Sequence, residues 1–197
     1  MTTERIAQVE RYTKETSIEV SINLDGSGEA QIDTGVGFFD HMLEGFARHG
    51  LFDLTVKADG DLQVDDHHTI EDTGIVLGQA ILKAVGDKKG ISRYGNRILP
   101  MDEVLVICAL DLSGRPYLSY DAEFTADRMG DMSTQMVKEF FYAVSYSAMM
   151  NLHLKVVTPG NDHHMAEAMF KAFARALKEA VSIDPRIKGV MSTKGVI

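Results

Sequence analysis

Apolar and polar residues change their period several times along the chain. SIEVSINL (17–24) alternates with the period of two expected of a half-buried strand. A Gly26-Ser27-Gly28 turn and the short run EAQID (29–33) follow, and the pair reads as a hairpin. GVGFFDHMLEGFARHG (35–50) switches to helical spacing, with Phe39, Met42, Leu43 and Phe46 on one face and Gly50 as a C-cap. FDLTVKADG (52–60) predicts a strand running into a turn. TIEDTGIVLGQAILKAV (69–85) predicts a second helix, with Asp65 or Asp66 placed to cap it.

The same order then recurs. EVLVICALDL (103–112) is a strongly apolar strand, Ser113-Gly114 turns it into RPYLSYD (115–121), and TADRMGDM (125–132) reads as a loop. A helix over 134–151, a strand over 153–160 and a long helix over 163–181 complete it. Each half is therefore β-β-α-β-α, with GDKKGISRYGNRILPM (86–101) as the linker. This pattern predicts an α+β protein built by internal duplication, with small sheets packed against helices. The basic, Gly-containing tail PRIKGVMSTKGVI (185–197) has no periodicity and reads as a frayed terminus on composition alone.

Composition narrows the function classes. The 197 residues suit one large domain or two small ones, and a net charge of −9 argues against a nucleic-acid or anionic-membrane surface. The single cysteine, Cys108, lies in an apolar strand, so no internal disulfide forms and a reducing, cytoplasmic setting is expected. No apolar run approaches the roughly 18 residues of a membrane span, and the polar N-terminal stretch 1–16 lacks a signal-peptide core.

The candidate chemistry lies in a doubled motif. DDHHTIED (65–72) and NDHHMAEA (161–168) both carry His-His-x-x-Glu, and together they hold four of the seven histidines. On a helix, Glu71 lies beside His67 or His68, and Glu167 beside His163 or His164. Adjacent histidines diverge by roughly 100° on a helix, so one metal does not easily take both. Two metals, each taking one histidine from each copy, use the duplication better. The donors are imidazoles and carboxylates without thiolates, a set suited to Mn, Fe, Co or Zn. Asp66 and Asp162 precede the pairs and are placed to orient the imidazoles. His41 is a further candidate, whereas the lone His49 and His153 read as structural. Arg93, Arg115 and Lys194 lie in Gly-containing turns and offer phosphate or carboxylate recognition.

RYTKETSIEV, DTGVGFFDHML, DDHHTIEDTGIVLG, SGRPY, NDHHMAEAMFKAFARAL and STKGV resemble the imidazoleglycerol-phosphate dehydratase family. They run from residue 11 to residue 196. The resemblance implies a hydro-lyase of histidine biosynthesis that converts imidazole glycerol phosphate to imidazole acetol phosphate through a metal-bound imidazolate. It implies a single dehydratase domain over 1–197 with two repeats (about 10–86 and 97–182) of ribosomal S5 domain 2-like fold, and a monofunctional enzyme without a phosphatase domain. It implies two Mn2+ ions per active site, or other divalent transition metals, and about 24 subunits with sites at their boundaries. Metal ligands carry over onto His41, His67, His68, Glu71, His163, His164 and Glu167. Glu139 stands in VKEFF where the family often has a histidine; it either ligates as a carboxylate or leaves that metal weaker or with a water. Substrate contacts carry over onto Glu15, Arg93, Arg115, Ser192 and Lys194. Glu15 is the implied general acid or base, with Glu71 and Glu167 among the catalytic carboxylates. The competing readings are a helical di-iron carboxylate bundle, which the strand runs oppose, and an anion-binding module with structural histidines.

Overall fold

The computed structural model describes residues 5–197. In the first half, β1 (Ile6–Tyr12), β2 (Thr16–Asn23) and β3 (Ala30–Asp33) precede α1 (Gly37–Gly50), β4 (Asp53–Gly60) and α2 (His67–Val85). In the second, β5 (Tyr94–Met101), β6 (Val104–Asp111) and β7 (Tyr117–Asp121) lead through a small hairpin, β8 (Arg128–Met129) and β9 (Met132–Ser133). α3 (Gln135–Ser147), β10 (Asn151–Thr158) and α4 (Asp162–Val181) complete it. Each half thus holds the β-β-α-β-α order with one more strand in front. Of the polar N-terminal stretch, residues 1–4 lie outside the described residues and 6–12 form β1.

Several readings of the pattern are corrected. The stretch 125–132 is not all loop, since β8 and β9 pair as a small hairpin over 128–133. The segments 17–24 and 29–33 do not pair as a hairpin, because β4 lies between them in the order β1-β2-β4-β3. β2 pairs antiparallel to β4, and β3 runs parallel to it, as a strand returning through α1 must. The second sheet repeats this as β5-β6-β10-β7. The stretch 86–101 is likewise not all linker, since its last eight residues form β5 on the sheet edge. The tail is held too: Gly90 N–H donates to Gly189 O at 2.9 Å, and Lys89 bridges Val190.

β2 and β6 are both eight residues long and bury every second side chain. Ile18, Val20 and Ile22 from one sheet and Val106, Cys108 and Leu110 from the other face a single continuous core. α1 and α2 cover the first sheet, α3 and α4 the second, and the helix layers meet crosswise, α1 on α4 and α2 on α3. Phe39, Phe140 and Phe170 fill the middle with ring centroids 5.3 and 5.0 Å apart. Gly78 allows the α2–α3 approach: a β-carbon there would lie 2.7 Å from Val144 O. This crosswise packing brings a helix of one half against the His-His helix of the other.

Candidate metal centre

The two His-His pairs open their helices in the same way. The Asp65 carboxylate accepts the His67 N–H at 2.9 Å, and the Asn161 side chain accepts those of His163 at 2.9 Å and His164 at 3.4 Å. Asp66 occupies the N-cap position of α2, but its side chain makes no cap bond, and the preceding Asp65 supplies the acceptor. Helical geometry turns the neighbouring rings apart, with centroids 6.2 Å distant in the first pair and 6.1 Å in the second. Each pair therefore presents two separate donor groups.

The first histidine of each pair stands over the glutamate one turn on. His163 Nε2 lies 3.1 Å from Glu167 Oε2, and His67 Nε2 lies 3.5 Å from Glu71 Oε2. α1 brings His41 to the α4 pair, with its Nε2 3.7 Å from Glu167 Oε2. His41, His163 and Glu167 thus offer three donors within 4.8 Å of one another. Burial alone would push the Glu167 carboxyl up. Lys171, at 2.6 Å, with His41 and His163, outweighs it and holds the group ionised below the usual carboxylate range. Across the pseudo-symmetric α2–α3 contact, Glu139 takes the place of His41. The Tyr142 phenol is pushed up first by its hydrogen bond to Tyr146, then by burial, and also by the charges of Glu139 and Glu71, but among the described residues His67, Glu71 and Glu139 do not close into a three-donor group as His41, His163 and Glu167 do.

The second histidines are held differently from the sequence expectation. Asp66 and Asp162 do not orient imidazoles. Asp66 accepts from the Ser133 hydroxyl at 2.7 Å, and Asp162 from the Thr125 and Ala126 N–H groups at 3.1 and 2.7 Å. Both carboxylates are buried under the loop before α3 and tie it down. The imidazole partners are two residues that the sequence reading missed. Asp61, just past β4, meets His68 Nδ1 at 3.0 Å, and Glu103, in the β5–β6 turn, meets His164 Nδ1 at 3.1 Å. The Glu103 carboxyl is pulled down to about 2, first by the Asn161 N–H, then by its own N–H and by His164. No local spacing announces either contact; the equivalence of Glu103 with Glu15 in the two hairpins was the one available signal.

A cavity of about 760 Å3 collects Arg93, Arg115, Ser192 and Lys194, with Arg186 and Lys188 beside them. Arg93 has φ +70°; its fork is set by Asp111 at 2.6 and 3.0 Å, and it donates to Met191 O at 2.7 Å. A second three-donor group joins His164 to Asp102 and Glu103; none of the histidines or glutamates of either group lines the cavity, and neither group contains residues from both His-His pairs. One chain thus carries the candidate donors and the cationic cavity as separate surfaces.

Comparison with known proteins identifies the family. The imidazoleglycerol-phosphate dehydratase family model matches residues 34–177. The chain belongs to that family. An imidazoleglycerol-phosphate dehydratase of Lachnoclostridium phytofermentans is 63% identical over 193 residues, covering 98% of each chain. One from Acetivibrio thermocellus is 60% identical over 194 residues, covering 98% of this chain and all of the relative. The crystal structure of the dehydratase from Staphylococcus aureus superposes with a TM-score of 0.83 at 42% identity, covering 91% of this chain and 99% of that one.

Membership of the imidazoleglycerol-phosphate dehydratase family makes the chain a hydro-lyase of histidine biosynthesis and sets aside the di-iron bundle and the anion-binding module. The duplicated α+β architecture is that of the family's crystal structures. Residues outside the clusters have ordinary roles. Burial, then Lys171 and Arg175, lowers the His49 pKa, and the His153 ring lies 5.7 Å from that of Tyr117. Cys108 is wholly buried and its thiol is pushed up by that burial, which removes it as a nucleophile. Among the described residues no helix is long and apolar enough to cross a membrane.

Proposed function

We propose that the chain dehydrates imidazole glycerol phosphate to imidazole acetol phosphate at a site holding two divalent transition-metal ions, Mn2+ foremost, completed by further copies of the chain. The observation that carries this reading is the convergence of His41, His163 and Glu167, three nitrogen and oxygen donors without a thiolate. His67, Glu71 and Glu139 would supply the related group on the other helix pair, and His68 and His164 would keep Nε2 for ligation because Nδ1 is already bonded. When bound, such ions act as Lewis acids that lower the pKa of a coordinated ring.

The protein's own groups supply the rest. Arg115 and Lys194, with Arg93 fixed by Asp111, would take the phosphate by charge-assisted bonds, and Ser192 would add a hydroxyl. Glu15 would exchange a proton with the carbon skeleton. Its carboxylate makes no hydrogen bond among the described residues, and His68 Nδ1 lies 4.0 Å away. Because ligands and cationic cavity are separate in one chain, a site using both draws on neighbouring copies, and a closed assembly such as a 24-mer provides them. The net charge of −9 argues against nucleic-acid or anionic-membrane partners, and the single buried cysteine fits a reducing, cytoplasmic setting. Glu71→Gln and His164→Ala test the reading. Both are expected to abolish turnover while the circular dichroism spectrum stays that of the wild type; full turnover by either would exclude that residue from the site.

A further inference from the structure

The duplication offers two equivalent carboxylates, and the structure gives them different tasks. β2 and β6 share an eight-residue alternation in which Thr16 falls on Val104. Glu15 and Glu103 therefore hold the same place, one residue before the second strand of each half. Glu15 approaches His68, and Glu103 approaches His164. Only Glu103 is bonded: its carboxylate accepts the Asn161 N–H at 2.7 Å and meets His164 Nδ1 at 3.1 and 3.3 Å. In the first half, Asp61 takes that position on His68 Nδ1, at 3.0 and 3.1 Å.

The loop lengths explain the exchange. β4 and β10 are each eight residues long, and the residue after them is Asp61 in one half and Pro159 in the other. Six residues (61–66) then lead to the first histidine of the first pair, but four (159–162) to that of the second. The shorter loop carries no carboxylate on the imidazole side before the helix. It carries Gly160, where a β-carbon would collide with the Glu103 carboxylate. Gly160 thus leaves the space that Glu103 fills.

We infer that Glu103 is a positioning residue: it fixes the Nδ1 proton of His164 so that Nε2 is presented to a metal, as Asp61 does for His68. A carboxylate on the far nitrogen orients a ligating imidazole and makes it a better donor. The consequence is an asymmetry between the halves, with Glu103 committed to His164 and Glu15 left without a bond. The inference rests on the metal centre proposed above.

The test is Mn2+ titration calorimetry on the metal-stripped, full-length protein in its native assembly. It compares wild type, Glu103→Ala, Glu103→Gln and Asp61→Ala, with the thermal midpoint of each metal-free form recorded alongside. Glu103→Ala and Asp61→Ala are each expected to weaken one class of Mn2+ site by about 10–100-fold, with metal-free midpoints close to wild type. Glu103→Gln keeps an oxygen acceptor at the same reach and is expected to recover most of the affinity. Wild-type affinity in Glu103→Ala would overturn the inference alone. So would a Glu103→Gln defect as deep as that of Glu103→Ala, the behaviour of a direct ligand. A wild-type protein that takes up no Mn2+ would overturn the metal centre and the inference with it.

Discussion

His41 and Glu139 are the pair on which the duplication breaks. They occupy matching places, one against α4 and the other against α2, but one offers an imidazole and the other a carboxylate. Carboxylates favour harder ions such as Mn2+, and imidazoles suit Zn2+ as well. Glu139→His is therefore expected to raise Zn2+ affinity relative to Mn2+, read by competition calorimetry; an unchanged ratio would remove Glu139 from the ligand set. The histidines and their glutamates were legible in the sequence because i, i+3 and i+4 spacing is local. The partners of the second imidazoles were not. Glu103 reaches His164 across 61 residues, and no periodicity encodes such a contact. Asp66 and Asp162 misled for a related reason: neighbours of a histidine in sequence, they face the loop 125–133 instead.

That loop is the element that joins the helix N-termini. Asp66 and Asp162 hold it from α2 and α4, and its own Asp131 accepts the Gly37 and Phe38 N–H groups of α1 at 2.6 and 2.9 Å. Asp131 thus caps α1 from 93 residues away, with the helix dipole in its favour. Asp131→Ala is expected to cost about 1 kcal/mol, the typical loss for a helix cap. Burial would raise the Asp131 carboxyl, but the Phe38 and Gly37 N–H groups outweigh it and lower the pKa below 3.8. A depressed carboxyl stabilises the fold above its ordinary value and loses that contribution as pH falls through the folded value. The thermal midpoints of wild type and variant should therefore differ at neutral pH and converge in strong acid; a constant gap would argue against the cap. At this scale the four helices and most strands were readable from period alone. β1 and β5 were not, because edge strands tolerate polar residues, Gly95 and Pro100 that a central strand would not. The hairpin misreading has a similar source, since a four-residue β3 cannot reveal whether its partner precedes it or follows α1.

Across the whole molecule, duplication accounts for the fold and, on the proposed reading, for the chemistry. Two sheets enclose two layers of helices, and the crosswise helix packing sets a residue from one half beside the His-x-x-x-Glu turn of the other. The cationic cavity of the second half and the tail lies apart from these ligands in one chain. The central claim is that dehydration depends on ions held by the duplicated motif. Its most direct test is turnover of imidazole glycerol phosphate by metal-stripped protein, followed as Mn2+ is added back. The expected result is no turnover without metal, and recovery that saturates as two Mn2+ per active site are bound. Full turnover by metal-free protein would contradict it.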